Sequence, residues 1–358
     1  MTLSLRDVTK TVGRERHLAP LSLDFSPGVF SVILGRTGSG KTTLLRLIAG
    51  LDRPTGGRIF LDDKDITDVP PRHRDVAMVY QQFVNYPSMS VYENIASPAR
   101  QAGKSSAEID RIVGEAAAAL RIEKFLSRQP GELSGGQQQR VAIARALAKE
   151  SRILLLDEPL VNLDYKLREE LRQELPEIIR HRSATVLYAT TEPVEALILG
   201  GNIAVLDRGR LLQSGATLDV YRRPSSLDVG EAFSDPPLNR ATGRIENGQL
   251  RLGQASTLPL PSHLRSIADG AYIFGIRAHH LHLKEGVDRQ AIFTGTVELS
   301  EISGSETFVY ARIEDFSWVI QASGVHRLQL DEKISVFPDP QSIYVFSADG
   351  RLIAAPPS

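Results

Sequence analysis

The sequence has no cysteine among its 358 residues, which excludes disulfide bonds, thiolate metal ligands and thiol nucleophiles. Charge of neither sign is in excess, because 42 lysines and arginines face 43 acidic residues. The broad basic surface that nucleic acids attract is therefore missing, and we expect no nucleic-acid partner. Apolar runs stay well short of the ~20 residues that span a bilayer, and residues 1–10 lack the apolar core of a signal peptide. These absences predict a soluble intracellular protein.

The residues that are present fit a globular protein of more than one domain. Apolar residues make up 42% and charged residues 24%, and the length suggests two or three domains of ~150 residues. In the first two thirds, apolar strand-like runs at residues 29–35, 153–159 and 184–190 alternate with helical patterns. This alternation indicates a largely parallel α/β sheet.

The pattern changes after residue 235, where short β-rich runs are separated by turn residues and long helical patterns are missing. Such a pattern indicates an all-β, OB-like barrel domain. We therefore predict an α/β domain at residues 1–235 and a β-barrel domain at residues 236–358. A helical subdomain is expected within the first, at about residues 84–150.

A glycine-rich segment at residues 35–42 reads G-R-T-G-S-G-K-T, after a predicted strand and before a predicted helix. This spacing is typical of loops whose backbone N–H groups surround a phosphate chain. A lysine for the β- and γ-phosphates and a hydroxyl for Mg²⁺ both stand in register, which an ordinary glycine-rich turn does not require. The segment predicts nucleotide binding by Gly35, Arg36, Thr37, Gly38, Ser39, Gly40, Lys41, Thr42 and Thr43.

Two adjacent carboxylates end the apolar run L-L-L-D-E-P at residues 154–159. Asp157 is suited to hold Mg²⁺ directly or through water, and Glu158 to polarise an attacking water. Acidic residues also end many strands as solvated turn residues, so this prediction depends on the glycine loop as its partner. Together the two motifs predict a site that hydrolyses a nucleotide with Mg²⁺.

Residues 133–137 read L-S-G-G-Q at the start of a predicted helix. Exposed amides and the positive end of the helix dipole make such a start an anion site, although the serine is also suited to be an ordinary N-cap. With the two phosphate motifs, this segment resembles the ATP-binding-cassette (ABC) ATPases. The resemblance implies that the α/β domain at residues 1–235 is a P-loop ATPase domain. The resemblance implies a head-to-tail dimer in which the segment of each chain closes on the ATP of the other, through Ser134, Gly135, Gly136 and Gln137.

The resemblance extends over nearly the whole chain and points to the importer ATPases of carbohydrate and polyol uptake. It is carried by residues 70–96, within which the charged run at 72–75 is expected to be a surface loop, and by the C-terminal β-rich part, which resembles the accessory β-barrel of those subunits. The resemblance implies that Gln81 reaches Mg²⁺ and the attacking water. It also implies a groove for the coupling helix of the membrane subunit, although core packing is the alternative for its lining residues Phe83, Val84, Tyr86 and Met89.

The resemblance also implies cofactors, partners and a function. ATP and Mg²⁺ are the implied cofactors, with Thr42, Gln81 and Asp157 around the metal. The implied partners are transmembrane permease subunits, a second ATPase subunit and, indirectly, a solute-binding protein, at the cytoplasmic face of the inner (plasma) membrane. The implied function is ATP-driven uptake of a small polar solute, such as a sugar, a polyol, glycerol or glycerol phosphate. The alternative is a regulatory nucleotide-binding protein with a degenerate ATP site.

Three positions depart from the pattern of that family. Val12 stands where an aromatic residue usually stacks on adenine, Thr191 where a histidine usually contacts the γ-phosphate, and Val161 where a serine is usual. Base stacking contributes ~1–3 kcal/mol and a hydrogen bond to a charged group ~1.5–3 kcal/mol. Because Val12 and Thr191 fall on the same composite site, we hypothesise a heterodimer with a more complete ATPase subunit. The alternative is a homodimer in which Thr191 holds the phosphate through a water.

Overall fold

The computed structural model describes residues 2–161, 163–180, 184–253, 256–284 and 293–357. The chain divides into two compact units, Met1–Thr217 and Leu218–Ser358, which we call the N-terminal and C-terminal units. The first is mixed α/β and the second carries barrel-like β-sheets, so the predicted fold class is confirmed. Among the described residues, no helix combines the length and the apolarity needed to cross a membrane.

The N-terminal unit contains two sheets. Its strands, in chain order, are β1 Leu3–Val12, β2 Glu15–Phe25, β3 Phe30–Leu34, β4 Gly56–Leu61, β5 Lys64–Asp65, β6 Val76–Val79, β7 Ile153–Asp157, β8 Thr185–Thr190, β9 Asn202–Asp207 and β10 Arg210–Ala216. The larger sheet has the order β10-β9-β3-β8-β7-β6 and is parallel except at β10. The three apolar runs noted in the sequence form β3, β7 and β8.

The helices of this unit are α1 Lys41–Ala49, α2 Val91–Gln101, α3 Ser106–Ala119, α4 Gly135–Ala148, α5 Tyr165–Arg180 and α6 Pro193–Leu199. α2, α3 and α4 lie within the predicted helical subdomain. Each begins with a capping box, in which the side chains of the N-cap serine and of the third helical residue satisfy exposed amides. The N-cap serines are Ser90, Ser105 and Ser134.

Strand β7 shows why the apolar runs that form the central strands do not alternate between apolar and polar residues. Leu154 and Leu156 belong to one hydrophobic core, with residues of α2 to α5. Ile153 and Leu155 belong to a second core, with residues of α1 and of the smaller sheet. Both faces of the strand are therefore buried, as expected for a parallel sheet covered on both sides.

The smaller sheet is antiparallel, in the order β2-β1-β4-β5, and was not predicted. Leu3 pairs with Phe25 on one side and with Leu61 on the other. Bulges interrupt the register of β1 with β2, so the period-two pattern is broken along the sequence. That irregularity explains why no clear strand pattern is visible in this part of the sequence.

Arg74 lies in the run that was expected to be a surface loop, and for this residue the prediction is wrong. Its side chain is 5% exposed, and burial lowers the pKa of its guanidinium. Nη1 donates to the carbonyl oxygens of Leu47 and Ile48 at 2.7 and 2.6 Å. Both carbonyls lie in the last turn of α1, where few donors remain within a helix. The Leu47 carbonyl also accepts from the C-cap amide of Gly50 at 3.1 Å, and the arginine supplies further donors to this helix end.

The C-terminal unit contains two antiparallel sheets, in the orders β13-β12-β11-β14-β20-β21 and β15-β19-β16-β17-β18. Phe274, Phe293 and Trp318 lie in the core of this unit. The elements, in chain order, are α7 Thr217–Arg222, α8 Leu227–Ala232, β11 Asn239–Glu246, β12 Gln249–Leu252, β13 Ser256–Pro259, β14 Gly270–Ile276, β15 Leu281–His282, β16 Phe293–Ser303, β17 Glu306–Ile313, β18 Phe316–Ser323, β19 Lys333–Pro338, β20 Tyr344–Phe346 and β21 Leu352–Ala354.

The division between the two compact units falls after residue 217, because most of α7 and all of α8 are held to the β-sheets of the C-terminal unit. Arg277 is 3% exposed and donates to the carbonyl oxygens of Tyr221 and Phe233 at 2.9 and 3.1 Å. Its guanidinium carbon also lies 3.9 Å from the centre of the Tyr221 ring. The amide of Leu227 donates to the carbonyl oxygen of Gly350 at 2.8 Å.

Candidate nucleotide-binding site

The loop between β3 and α1 takes a shape that its glycines permit. Gly38 and Gly40 have φ angles of 81° and 100°, a region that residues with a side chain rarely adopt. Gly40 is also the N-cap of α1, so the free amides of the first helical turn open onto the loop. At Gly35, a Cβ atom would lie 2.3 Å from the carbonyl oxygen of Leu206. The loop therefore offers amides to an anion and excludes side chains at its first position.

Lys41 is the buried cation of this loop, with 3% of its surface exposed. Nζ donates to the carbonyl oxygens of Gly35 and Arg36 at 2.7 and 3.2 Å, and lies 3.1 Å from Oε1 of Glu158. The other carboxylate oxygen of Glu158 accepts from Nε2 of Gln81 at 3.3 Å. A lysine, a glutamate and a glutamine that were predicted from separate motifs thus meet at one place.

Thr42 and Asp157 form a second pair beside the lysine. The Thr42 hydroxyl donates to Oδ1 of Asp157 at 3.1 Å. Asp157 is 2% exposed, and its burial raises the pKa of the carboxyl group, while the bond from Thr42 opposes that rise. A hydroxyl and a carboxylate are ligands of the kind that Mg²⁺ prefers.

Ser39 supplies an independent test of whether the loop fits a phosphate. Its side chain is 2% exposed, and its hydroxyl has no hydrogen-bond partner within the described part of the chain. Buried hydroxyls are nearly always hydrogen-bonded, and a phosphate oxygen is a suitable acceptor. Together with the free amides of α1 and the Lys41 ammonium, this hydroxyl makes the loop fit a phosphorylated ligand.

A cavity of about 460 Å³ lies over the loop. The predicted residues that line it are Thr37, Gly38, Ser39, Gly40, Lys41, Thr42, Thr43, Gln81 and Glu158. Gly35, Arg36 and Asp157 lie behind this lining, in contact with Lys41 or Thr42. The sequence did not predict the remaining lining residues, which are Glu15, Arg16, His17, Arg208 and Gly209. No motif marks them, because they come from β2 and from the turn between β9 and β10.

The segment at residues 133–137 does not line this cavity. Ser134 is exposed at the N-cap of α4, where its hydroxyl accepts from the Gln137 amide at 3.4 Å and its own amide donates to the Gln137 side chain at 3.1 Å. The ordinary N-cap function is therefore present. Gly135 is exposed, whereas at Gly136 a Cβ would lie 1.7 Å from Cδ2 of Leu167, so the second glycine permits close packing of α4.

The two unusual positions of the site lie at strand ends. Val12 ends β1 with 51% of its surface exposed and does not line the cavity. Thr191 follows β8 directly and is half-buried, also outside the lining. The residue before it, Thr190, accepts from the Gly35 amide at 3.3 Å through its carbonyl oxygen. The end of β8 is therefore attached to the start of the phosphate loop.

The residues of the expected coupling groove are mostly exposed. Val84, Tyr86 and Met89 are 53%, 44% and 37% exposed, so core packing does not explain them, while Phe83 is half-buried. Tyr86 lies beside a surface cavity of about 580 Å³ between the 3-10 turn at Pro71–His73 and helices α2 and α4. The guanidinium of Arg145 lies 4.8 Å from the centre of the Tyr86 ring.

A strand, a glycine loop and a helix in this order, with a lysine that reaches the acidic end of another strand, are the arrangement of P-loop nucleotide hydrolases. The family model described as ABC transporter matches residues 18–161 of this chain. Relatives that are at least 35% identical over nearly the whole chain extend this match. The chain therefore belongs to the ABC transporter family of ATP-binding proteins.

The chain is 37% identical to the trehalose/maltose import ATP-binding protein of Thermococcus litoralis, over 96% of each chain. It is 37% identical to an sn-glycerol-3-phosphate import ATP-binding protein of Cupriavidus necator, over 99% of each. The sulfoquinovosyl glycerol transport ATP-binding protein of Agrobacterium fabrum is 35% identical, over 97% of this chain and 98% of the relative. The resemblance that the sequence motifs indicated is confirmed along the whole length.

Solved structures agree with this family. A dimeric bacterial ABC transporter cassette has a TM-score of 0.55 and 32% identity, covering 60% of this chain and 98% of the cassette. A dimeric cassette in a post-hydrolysis state with bound ADP and Pi has a TM-score of 0.54, the same identity and the same coverage. The likeness supports nucleotide binding as the property of this fold.

Proposed function

We propose that this chain is the ATP-hydrolysing subunit of an ABC importer that takes up a small polar solute. The observation that carries the proposal is the contact of Glu158 with Lys41 and Gln81, beside the pair of Thr42 and Asp157. A regulatory protein with a degenerate ATP site has no need of these contacts. Transport ATP-binding proteins that align over nearly their whole length support the same interpretation.

Hydrolysis on these residues is a matter of positioning and electrostatics. Lys41 and the amides of the loop hold the β- and γ-phosphates, and Glu158 accepts the proton of the attacking water as general base, with Gln81 orienting that water. Thr42, Asp157 and Gln81 are the residues that would hold Mg²⁺, which supplies neutralisation of phosphate charge when bound.

The exposed segment at Ser134 is proposed to complete the ATP site of a second ATPase chain. Ser134 and Gly136 would contact the γ-phosphate held by that chain, and the dimeric state of similar solved cassettes supports this. Val12 and Thr191 depart from the family pattern at the same composite site, which favours a heterodimer with a more complete subunit. Purified chain that hydrolyses ATP alone at full importer rates, unaffected by a second ATPase, would overturn the heterodimer in favour of a homodimer.

The membrane partner is proposed to dock on Val84, Tyr86 and Met89, whose apolar surface is exposed beside the cavity at Tyr86. Exposed apolar clusters of this kind mark interaction sites. The chain would then be held peripherally at the cytoplasmic face of the membrane by its transmembrane permease subunits, with a solute-binding protein as an indirect partner.

The solute class is proposed from the relatives. Those relatives are named for α-glucosides, trehalose and maltose, sn-glycerol-3-phosphate and sulfoquinovosyl glycerol, all of which carry several hydroxyl groups. A sugar, a polyol, glycerol or glycerol phosphate fits that shared chemistry. Choice among them belongs to the permease and solute-binding subunits.

The Glu158→Gln substitution tests the proposal in proteoliposomes that contain the complete transporter. Glutamine keeps the size of the side chain but accepts no proton, so ATP should still bind while hydrolysis and solute uptake fall by at least ~100-fold. ATP binding by equilibrium dialysis and uptake of labelled glycerol or sugar are measured on the same preparation.

The matched control is Glu123→Gln, which changes an exposed glutamate of the same unit outside the cavity lining. It should leave binding and uptake unchanged. Normal uptake by the Glu158→Gln transporter would overturn the role assigned to Glu158.

A further inference from the structure

The cavity over the phosphate loop extends to the first residues of β2. Glu15, Arg16 and His17 all line it, whereas Val12, which pairs with Glu15 across the hairpin, does not. Among the described residues that line this cavity, His17 carries the one aromatic ring. A nucleobase extending from the phosphates therefore meets a ring at His17 and none at Val12.

The start of β2 is fastened to the phosphate loop through Gly209. The amide of Gly209 donates to the carbonyl oxygen of Ser39 at 3.0 Å, and its carbonyl oxygen accepts from the Ala19 amide at 2.7 Å. A Cβ at Gly209 would lie 2.6 Å from the His17 carbonyl oxygen, and one at Gly40 would lie 3.1 Å from the same atom. The backbone of His17 is thus packed against the loop that holds the phosphates, which fixes the span from phosphate to ring.

The side chains at this edge suit a nucleobase. The His17 side chain is 36% exposed, and its Nε2 lies 3.6 Å from the Glu15 carboxylate. An imidazole ring and a planar guanidinium, here that of Arg16, both stack on the π face of a base. Both side chains retain exposed surface that a base can cover.

We propose that His17, assisted by Arg16, forms the base-binding wall of the nucleotide site and replaces an aromatic residue at Val12. The inference rests on the proposed function, since it takes the cavity to bind ATP. It assigns the base contact to β2 and not to the end of β1, and purine nucleotides bind more tightly than the bare triphosphate chain.

The experiment measures dissociation constants for ATP and for inorganic tripolyphosphate with full-length chain, by calorimetry in the presence of Mg²⁺. The readout is the dissociation constant for tripolyphosphate divided by the dissociation constant for ATP, because tripolyphosphate contacts the loop without a base. His17→Ala is expected to weaken ATP binding roughly fivefold to a hundredfold while tripolyphosphate binding stays within about twofold. Arg16→Ala is expected to lower the same ratio, and His17→Phe to restore it.

Val12→Ala is the matched control and should leave both constants unchanged. A ratio that falls with Val12→Ala but not with His17→Ala would overturn the inference. So would an equal loss of ATP and tripolyphosphate in the His17→Ala chain, since that result indicates a damaged loop. If the wild-type chain binds tripolyphosphate as tightly as ATP, the inference about the base-binding wall is wrong and the proposed function stands. If the chain binds neither ligand, the proposed function is wrong as well.

Discussion

Lys41 engages three acceptors within the chain, which are the carbonyl oxygens of Gly35 and Arg36 and the carboxylate of Glu158. An ammonium group has three donors, so a phosphate must compete for one of them. If the Lys41 ammonium gives up its contact with Glu158 for a phosphate oxygen, the Glu158 carboxylate faces water. At the scale of single residues, phosphate binding and the availability of Glu158 as the proposed general base are therefore coupled.

Thr191 gives a prediction at the same scale. In the complete transporter, Thr191→His should raise the ATP turnover rate about tenfold to a few hundredfold, because a hydrogen bond to the γ-phosphate contributes ~1.5–3 kcal/mol. Steady-state phosphate release checks this, with Thr191→Ala as the control. A marked loss of rate in the alanine chain would show that the threonine already holds the phosphate, as the homodimer alternative requires.

At the scale of elements, Asn94 of α2 organises the segment that is proposed to meet the permease. It is fully buried, and its Nδ2 donates to the carbonyl oxygens of Tyr86, Met89 and Ser90 at 3.0, 3.1 and 3.0 Å. Its Oδ1 accepts from the Tyr86 amide at 2.8 Å. One side chain thus fixes the loop that presents Val84, Tyr86 and Met89.

Replacing Asn94 by alanine should lower the free energy of unfolding by about 1–3 kcal/mol, because buried carbonyls lose their donor. ATP binding should persist, while stimulation of ATPase activity by the permease falls at least severalfold as the loop loses its shape. Basal and permease-stimulated rates measured side by side check this. Tyr92→Phe, which removes a hydroxyl on the same helix that contacts Asp110, is the control and should retain stimulation.

Glu195 of α6 gives a pH-dependent prediction for strand β8. It is 4% exposed and accepts hydrogen bonds from Tyr188 and Thr190 at 3.0 and 2.6 Å. Burial raises the pKa of its carboxyl group above the ordinary 4.5, although both hydrogen bonds oppose the rise. The folded chain therefore binds this proton more tightly than the unfolded chain does.

The stability from this proton is fully present below the ordinary pKa and is lost as pH rises through the raised pKa. The wild type should consequently lose stability relative to Glu195→Gln on going from about pH 4 to pH 7. Hydrogen exchange of the β8 amides measures the difference in stability between the two chains at each pH. Asp157 also has a raised pKa, but it is present in both chains, so its titration cancels in this difference. A difference that is constant over this range would contradict the prediction.

Sequence patterns predict those elements whose cause is local. The central strands are found because both of their faces are buried, and the phosphate loop because its glycines and Lys41 lie within eight residues. Arg74 and His17 are missed because their surroundings come from distant residues. Arg74 serves the end of α1, and His17 is held through Gly209. A sequence shows neither the helix end that Arg74 reaches nor the glycine that lies beside His17.

At the scale of the whole molecule, each compact unit has its own hydrophobic core. In the C-terminal unit, Arg277 ties α7 and the segment after α8 to the sheets, with further donation to the Ser234 hydroxyl at 2.8 Å. Separate cores predict that damage in one unit leaves the local stability of the other intact.

Arg277→Leu should therefore lower the stability of the C-terminal unit by about 2–4 kcal/mol, since one buried and two part-buried acceptors lose a charged donor. Arg277→Lys keeps the charge but not the planar fork, and should cost less. Hydrogen exchange along the full chain checks both, with the amides of β7 and β8 and the affinity for ATP expected to stay unchanged. Equal loss of protection in the two units would contradict the prediction.

The sequence contains a single tryptophan, and Trp318 lies in the core of the C-terminal unit, packed against Phe293 and Phe316 and donating to the Arg240 carbonyl oxygen at 3.1 Å. Intrinsic fluorescence excited at the red edge of protein absorption therefore reports on this unit alone. Added ATP binds elsewhere in the chain, so any shift in that emission is a signal transmitted from the nucleotide site to the β-sheets. An unlabelled chain thus carries its own optical probe of communication between the nucleotide site and the C-terminal unit.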